Sequence, residues 1–198
     1  MTQKKYHLVF IIIILAFASS AAAPGNNLEK KQDKREIRQD KRELGATSAT
    51  LDRLSGTIDH WVEANLIGHN KKAHSYEESI LEQIQADIAS SRQQLERYEA
   101  EVHSSAREYN RLHQSEAARR DDRADLSDDV KDLHLAKRLL KEKERLASSL
   151  RKVATFSNKY RLLGDYIEVM RRELGIVKVE LVEDANELRE DRVEGRRE

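Results

Sequence analysis

The near absence of proline is the feature that most constrains this chain. Pro24 is its only proline, so the 174 residues that follow contain none, where average usage of about 5% would supply roughly nine. Because proline breaks helices, the absence of proline after residue 24 leaves the rest of the chain free to form helix. Charged residues make up 36% of the chain and apolar residues 38%, which leaves too little apolar material for the thick core of a compact enzyme.

The first 23 residues have the pattern of a secretory signal peptide. Two lysines precede an unbroken apolar run at 8–18, and small residues follow. As a helix this run would rise only about 16 Å, roughly half the hydrocarbon thickness of a bilayer. We therefore expect cleavage after Ala21 or Ala22 and a periplasmic or secreted protein. The alternative is that segment 1–23 stays uncleaved and anchors the chain.

A shorter N-terminal helix is predicted after a linker at 24–27. It covers residues 28–66 and is first charge-dense, then amphipathic. Its apolar residues fall at alternating steps of three and four, which is typical of one helix face; they are Leu51, Leu54, Ile58 and Trp61. A break at 67–75 follows, where Ser75 and Glu78 form a capping-box pattern that predicts a new helix start.

A long coiled-coil region is predicted over residues 76–190, followed by a frayed tail at 191–198. Its heptad core positions up to residue 140 include Ile88, Leu95, Val102, Tyr109, Leu112, Leu133 and Leu140. A second run, one phase shift away, includes Tyr160, Leu163, Ile167, Met170 and Leu174. The alternation after Gly175 also fits a strand, but the helical stripe continues there and we predict helix.

Charge favours a hairpin over a continuous rod. Residues 76–101 carry seven acids against two bases, and residues 137–161 carry nine bases against two acids. A reversal near 120–125 would lay one arm beside the other, with Glu101 facing the region of Glu144, whereas a parallel dimer of rods would stack like charges. The predicted fold is therefore all-α, an elongated helical hairpin or antiparallel coiled coil. An antiparallel dimer of rods would satisfy the charges equally well.

No residue pattern predicts catalysis, a cofactor or a metal site. The histidines form neither an i, i+4 pair nor an HExxH motif, and the chain has no cysteine, no glycine-rich phosphate loop and no GxSxG elbow. The acidic runs lack the spacing and turning glycine of a calcium loop. We expect no nucleic-acid binding, because the formal net charge is zero and export removes the protein from nucleic acid.

These features predict a non-enzymatic coiled-coil protein of the cell envelope that acts as scaffold, spacer or assembly partner. Its expected partners are itself, as a dimer or higher oligomer, and another envelope protein, with membrane contact only through an uncleaved N-terminal segment. The alternative is a holdase-type chaperone that grips clients with an unmated apolar stripe such as 51–61 or 167–181.

Overall fold

The computed structural model describes residues 26–110 and 116–194 of the chain. They form four α-helices of similar length: α1, Asn26–Leu66; α2, Asn70–Tyr109; α3, Glu116–Lys152; and α4, Phe156–Glu194. No strand occurs in these residues, so the all-helical prediction is confirmed and the region after Gly175 is helical. A helix of this length rises about 60 Å.

The four helices form a ring in which each packs against two neighbours. Helices α1 and α3 both contact α2 and α4. Helices α2 and α3 run antiparallel, because Arg92 pairs with Glu144 and, further along α2, Glu99 pairs with Lys137. The α1–α2 and α3–α4 connections lie at the same end, where the rings of Trp61 and Phe156 are 4.8 Å apart. We call this end the tip.

The apolar stripes of all four helices meet inside the ring. The most deeply buried large apolar side chains come from every helix, and they include Leu54, Trp61, Ile80, Ile84, Leu146, Val169, Met170 and Val177. Steps of three and four residues put such side chains on one helix face, and burying each one contributes roughly 1.5 to 3 kcal/mol. The core of the protein is therefore a narrow column along the helix axes.

The connection between α1 and α2 is a tight turn built on Gly68. This residue has a φ of 73°, the left-handed region, and the amides of Gly68 and His69 donate to the carbonyls of Asn65 and Ala64 at 3.2 and 2.8 Å. These two bonds define a Schellman motif. Helix α2 then starts at Asn70, so Ser75 lies inside a helix and does not cap one as predicted.

Two further boundaries differ from the sequence prediction. Residues 120–125 are helical and belong to α3; the segment contains no Gly or Pro that would break a helix. Helix α2 instead ends at Tyr109 and the antiparallel α3 begins at Glu116, and the Asn110 side chain caps α2 by donating to the Ala106 carbonyl at 2.6 Å. The long coiled-coil region predicted over 76–190 is also interrupted at 153–155, within its second apolar run.

The remaining predicted segments are placed as follows. Asn26 and Asn27, expected in a linker, begin α1, which is as long as the other helices and not shorter. The predicted signal segment 1–23 and the residues 24–25, 111–115 and 195–198 lie outside the described residues. The first half of the predicted tail, 191–194, is the end of α4.

Candidate functional site

The predicted helix–helix seam lies mostly inside this one chain. Nine of its residues are buried: Leu54, Ile58, Trp61, Ile88, Leu133, Leu140, Leu163, Ile167 and Met170. Five are partly buried: Leu51, Leu95, Val102, Tyr109 and Leu174. Tyr160 is exposed, and Leu112 lies outside the described residues. The apolar stripe of α1, expected to need cover from a partner, is covered by α2 and α4.

A cluster of five polar side chains crosses the middle of the core, and we call it the buried polar layer. Helix α2 contributes Asp87 and Ser91, α3 contributes Lys143, and α4 contributes Tyr166 and Glu173. Lys143 and Tyr166 are fully buried, and the other three are at least nine-tenths buried. Each helix brings these groups inward because they occupy positions of its apolar stripe.

The Lys143 ammonium is the centre of this layer. It donates to Ser91 Oγ at 2.9 Å, pairs with Asp87 Oδ2 at 2.7 Å and also binds Glu173 Oε2. An ammonium has three N–H donors, so these three acceptors use all of them. Lys143 is therefore held as a charged, fully bonded group that links three helices.

Hydroxyl groups complete the bonding of the two carboxylates. Tyr166 donates to Asp87 Oδ2 at 2.7 Å, and Ser91 donates to Glu173 Oε1 at 2.7 Å. Burial, followed by the charge of Asp87, raises the pKa of Tyr166 above its usual range, so this phenol stays protonated and donates. One cation and two carboxylates give the layer a formal charge of minus one.

A second acid that faces the core, Glu180, is partly buried and lies nearer the end opposite the tip. Burial raises the pKa of Glu180 to about 8, a hydrogen bond from Tyr98 lowers it, and the charges of Asp132, Asp40 and Glu101 raise it further. Its Oε1 atom has no hydrogen-bond partner among the described residues. Burial of Tyr98, followed by the charge of the neighbouring Glu180 carboxylate, raises the pKa of Tyr98.

The raised pKa of Glu180 makes stability depend on pH. The folded chain keeps a proton on Glu180 at pH values where the unfolded chain has released it. This group's contribution to stability is therefore complete below about pH 4.5 and is lost as the pH rises through about 8.

Only very small cavities accompany these groups. One of about 10 Å³ lies between the polar layer and Tyr98 and is lined by Ser91, Gln94, Tyr98, Ala136, Leu139, Glu173 and Ile176. It has room for about one water molecule, with polar partners for it. Among the described residues, no group of three or more His, Asp or Glu side chains is arranged to hold a metal ion.

Sequence reasoning missed the polar layer, although a signal was present. Lys143 was counted only as part of a basic arm, yet its neighbours three and four positions away on both sides are apolar, namely Leu139, Leu140, Leu146 and Ala147. That position lies at the centre of a helix stripe. A lysine there has to meet acids from other helices or remain a costly unpaired charge.

The fold and these clusters define a charge-rich protein of four packed helices with a polar layer in its core. The sequence matches no protein-family model, and neither a curated protein nor a solved structure gives a match to it. None of the helices in the described part of the chain combines the length and the apolar character needed to cross a bilayer.

Proposed function

We propose that this is an exported, non-enzymatic helical protein of the cell envelope, which acts as scaffold, spacer or assembly partner through helix–helix association. The observation that carries the proposal is the buried polar layer, which links α2, α3 and α4 with every donor of Lys143 used. Polar groups of this kind stabilise one helix register over others. A fixed register along helices of about 60 Å suits a spacer.

The charged surface supports the antiparallel hairpin of α2 and α3 as the long axis of this scaffold. Arg92 pairs with Glu144 at 2.6 Å and Lys137 with Glu99 at 2.8 Å. Each exposed pair contributes less than about 1 kcal/mol, but like charges in the same places would disfavour the alignment. The hairpin therefore depends on its apolar and buried contacts for stability and on charge for orientation.

For self-association the proposed contact is on α4, at Val179 and Val182. These residues lie three positions apart on one helix face and are 55% and 60% exposed. A second copy, or another envelope protein, that packs there would cover apolar area left open by the bundle. The predicted contact stripe at 51–61 is instead buried within the chain.

Sedimentation-velocity ultracentrifugation over a range of concentrations tests this association. We expect a dimer or higher oligomer whose melting temperature rises with concentration, and we expect the double substitution Val179→Ser, Val182→Ser to shift it toward monomer. The matched control is Leu66→Ser, Ile67→Ser, which removes two exposed apolar side chains at the tip and should leave association unchanged. A monomer at every concentration, with concentration-independent melting, would contradict self-association.

Export is a separate part of the proposal and rests on the sequence of segment 1–23. Intact-mass measurement of the protein from its producing cell tests it, with a mature N-terminus near Ala22 or Ala23 as the expected result. A full-length species that pellets with membranes would show instead that segment 1–23 stays uncleaved and anchors the protein.

The holdase alternative requires an apolar stripe that is open to clients. In the structure Trp61 and Met170 are both almost fully buried by helices of the same chain. Exposing either stripe would require the bundle to open, and we do not propose this function.

A further inference from the structure

The buried core stops well short of the end of the bundle that lies opposite the tip. The buried side chains farthest from the tip are Leu54 in α1, Tyr98 in α2, Leu133 in α3 and Val177 in α4. Each helix continues for several turns beyond these positions. Among the side chains that the structure describes in those turns, none is buried.

We call this part of the bundle the distal section; it consists of residues 26–43, 99–109, 116–132 and 178–194. The ion pair between Glu43 and Arg97 sets the position of α1 beside α2, and a hydrogen bond from Ser105 to Asp129 does the same for α2 and α3. Partly buried apolar side chains within the section include Val102, Leu126 and Val130. Because burial of apolar area contributes most of the stability of a fold, this section of about 25 Å is held more weakly than the rest.

One acid from each of the four helices acts within the distal section. Glu180 of α4 is partly buried, and it is influenced by the charges of Asp132 in α3, Asp40 in α1 and Glu101 in α2. Tyr98 forms a hydrogen bond with Glu180, whereas the Oε1 atom of Glu180 is buried without a partner among the described residues. A proton on Glu180 therefore removes a charge that acids from the three other helices would repel.

No described base forms an ion pair with Glu180. The bases of the neighbouring turns are either exposed or paired with another acid, and they are Arg38, Lys41, Arg42, Arg97, Lys131, Lys137 and Lys178. An ionised Glu180 carboxylate therefore needs water to solvate it. Water can reach the carboxylate if the distal helices separate.

The buried polar layer marks the point where such a separation would stop. Lys143 links α2, α3 and α4 with all three of its donors used. On the tip side of this layer lie deeply buried side chains such as Trp61, Ile80 and Leu163. Separating the helices there would expose much more apolar area and would cost correspondingly more free energy.

We propose that the distal section is a conformational switch, in which the four helix ends separate while the rest of the bundle stays folded, and that loss of the proton from Glu180 favours the separated state. This property goes beyond the proposed scaffold role, since it lets one end of the protein change shape without unfolding the other. The closed section holds the Glu180 proton and the open section releases it. With the pKa of Glu180 at about 8 when closed and at its ordinary 4.5 when open, the opening equilibrium constant should rise roughly 70-fold from pH 5.5 to pH 7.5.

Hydrogen exchange followed by mass spectrometry tests the proposal. Dividing the intrinsic exchange rate at each pH by the observed rate gives a protection factor. At pH 7.5 we expect the distal section to be at least about 100-fold less protected than residues 76–91 and 139–150. From pH 5.5 to 7.5 its protection should fall roughly 70-fold, and protection elsewhere should fall by the same factor, because complete unfolding includes the opening step.

A conservative core substitution separates opening of the distal section from unfolding of the whole bundle. Ile80→Val shortens a side chain that is only 2% exposed, and it should lower the protection of residues 76–91 by about 2- to 12-fold. It should leave the distal section unchanged, because that section exchanges through its own smaller opening. An equal loss of protection in every helix would show that the bundle opens only as a whole and would overturn the proposal.

The substitution Glu180→Gln tests the trigger. Glutamine has no acidic proton to lose, so the protection of the distal section should no longer fall between pH 5.5 and 7.5. The matched control Glu82→Gln, at an exposed position of α2, should keep the roughly 70-fold fall. A fall of the same size in Glu180→Gln would assign the trigger to another group and refute the role of Glu180. A distal section without protection at pH 5.5 would also refute the switch, since no closed state would exist.

Discussion

Replacing Lys143 by methionine should destabilise the fold by about 3 to 5 kcal/mol at neutral pH. Asp87 and Glu173 both bind the same ammonium, so their nearest carboxylate oxygens lie within about 5 Å of each other. Without the cation, two buried negative charges at that distance repel by about 3 kcal/mol at an effective dielectric constant of 20. Removing one partner of a buried ion pair typically costs 3 to 5 kcal/mol, which agrees with this figure.

Urea unfolding followed by far-UV circular dichroism measures this loss. The matched control is Lys141→Met, which removes the same charge from an exposed position two residues away on the same helix. Surface substitutions of that kind usually change stability by no more than about 0.5 kcal/mol. The difference between the two variants therefore reports the buried environment of Lys143 and not the charge of the chain.

A second substitution identifies the cause of the loss. In the Lys143→Met background, Glu173→Gln removes one of the two opposed charges and should restore at least about 1 kcal/mol. In the original protein the same Glu173→Gln change should be destabilising, because it removes an ion pair. A loss below about 1 kcal/mol for Lys143→Met, or no restoration by Glu173→Gln, would refute the account of a buried, charged layer.

Three further predictions concern other parts of the bundle. Between pH 5 and 8 the free energy of unfolding should fall by roughly 2 to 4 kcal/mol, because the folded chain keeps the Glu180 proton. In denaturant titrations, Glu180→Gln should abolish most of this dependence on pH. The control substitution Glu82→Gln, at an exposed position, should leave it unchanged. Gly68→Ala should cost about 1 to 2 kcal/mol because of its positive φ, whereas Gly45→Ala, in the middle of α1, should stabilise by about 0.5 to 1 kcal/mol; thermal unfolding compares the pair. Trp61→Ala should lower the free energy of unfolding by about 3 to 5 kcal/mol, since it opens a cavity in the core, and a loss below 1 kcal/mol would contradict its deep burial.

Helix content could be predicted from the sequence because it depends on local spacing. The three-four steps from Leu51 to Trp61 and from Leu163 to Met170 put apolar groups on one face whatever those faces contact. The boundaries of the helices were harder to predict from the sequence. The turn at Gly68 carries a strong local signal, but the break at 153–155 contains only Val, Ala and Thr. That break is stabilised by distant contacts, including the packing of Phe156 on Trp61.

The pairing between helices depended on the position of one turn. Placing the reversal at 120–125 aligned Glu101 with the region of Glu144, whereas the partner of Glu144 in the structure is Arg92. The shift of nine residues corresponds to about 14 Å along a helix. Opposite charges alone could not fix this alignment, since both arms carry charges at many positions and each exposed pair contributes little.

The basic and acidic residues are also arranged differently in the fold than along the sequence. Read as sequence, the basic run at 137–161 appears complementary to the acidic run at 76–101. In the fold, the first part of this run lies beside α2, where Lys137 and Lys143 meet Glu99 and Asp87. Its later part crosses the 153–155 break into α4, where Lys159 pairs with Glu77 of α2. A basic run that is continuous in the sequence is therefore divided between two helices, and it supplies paired bases on both sides of the 153–155 break.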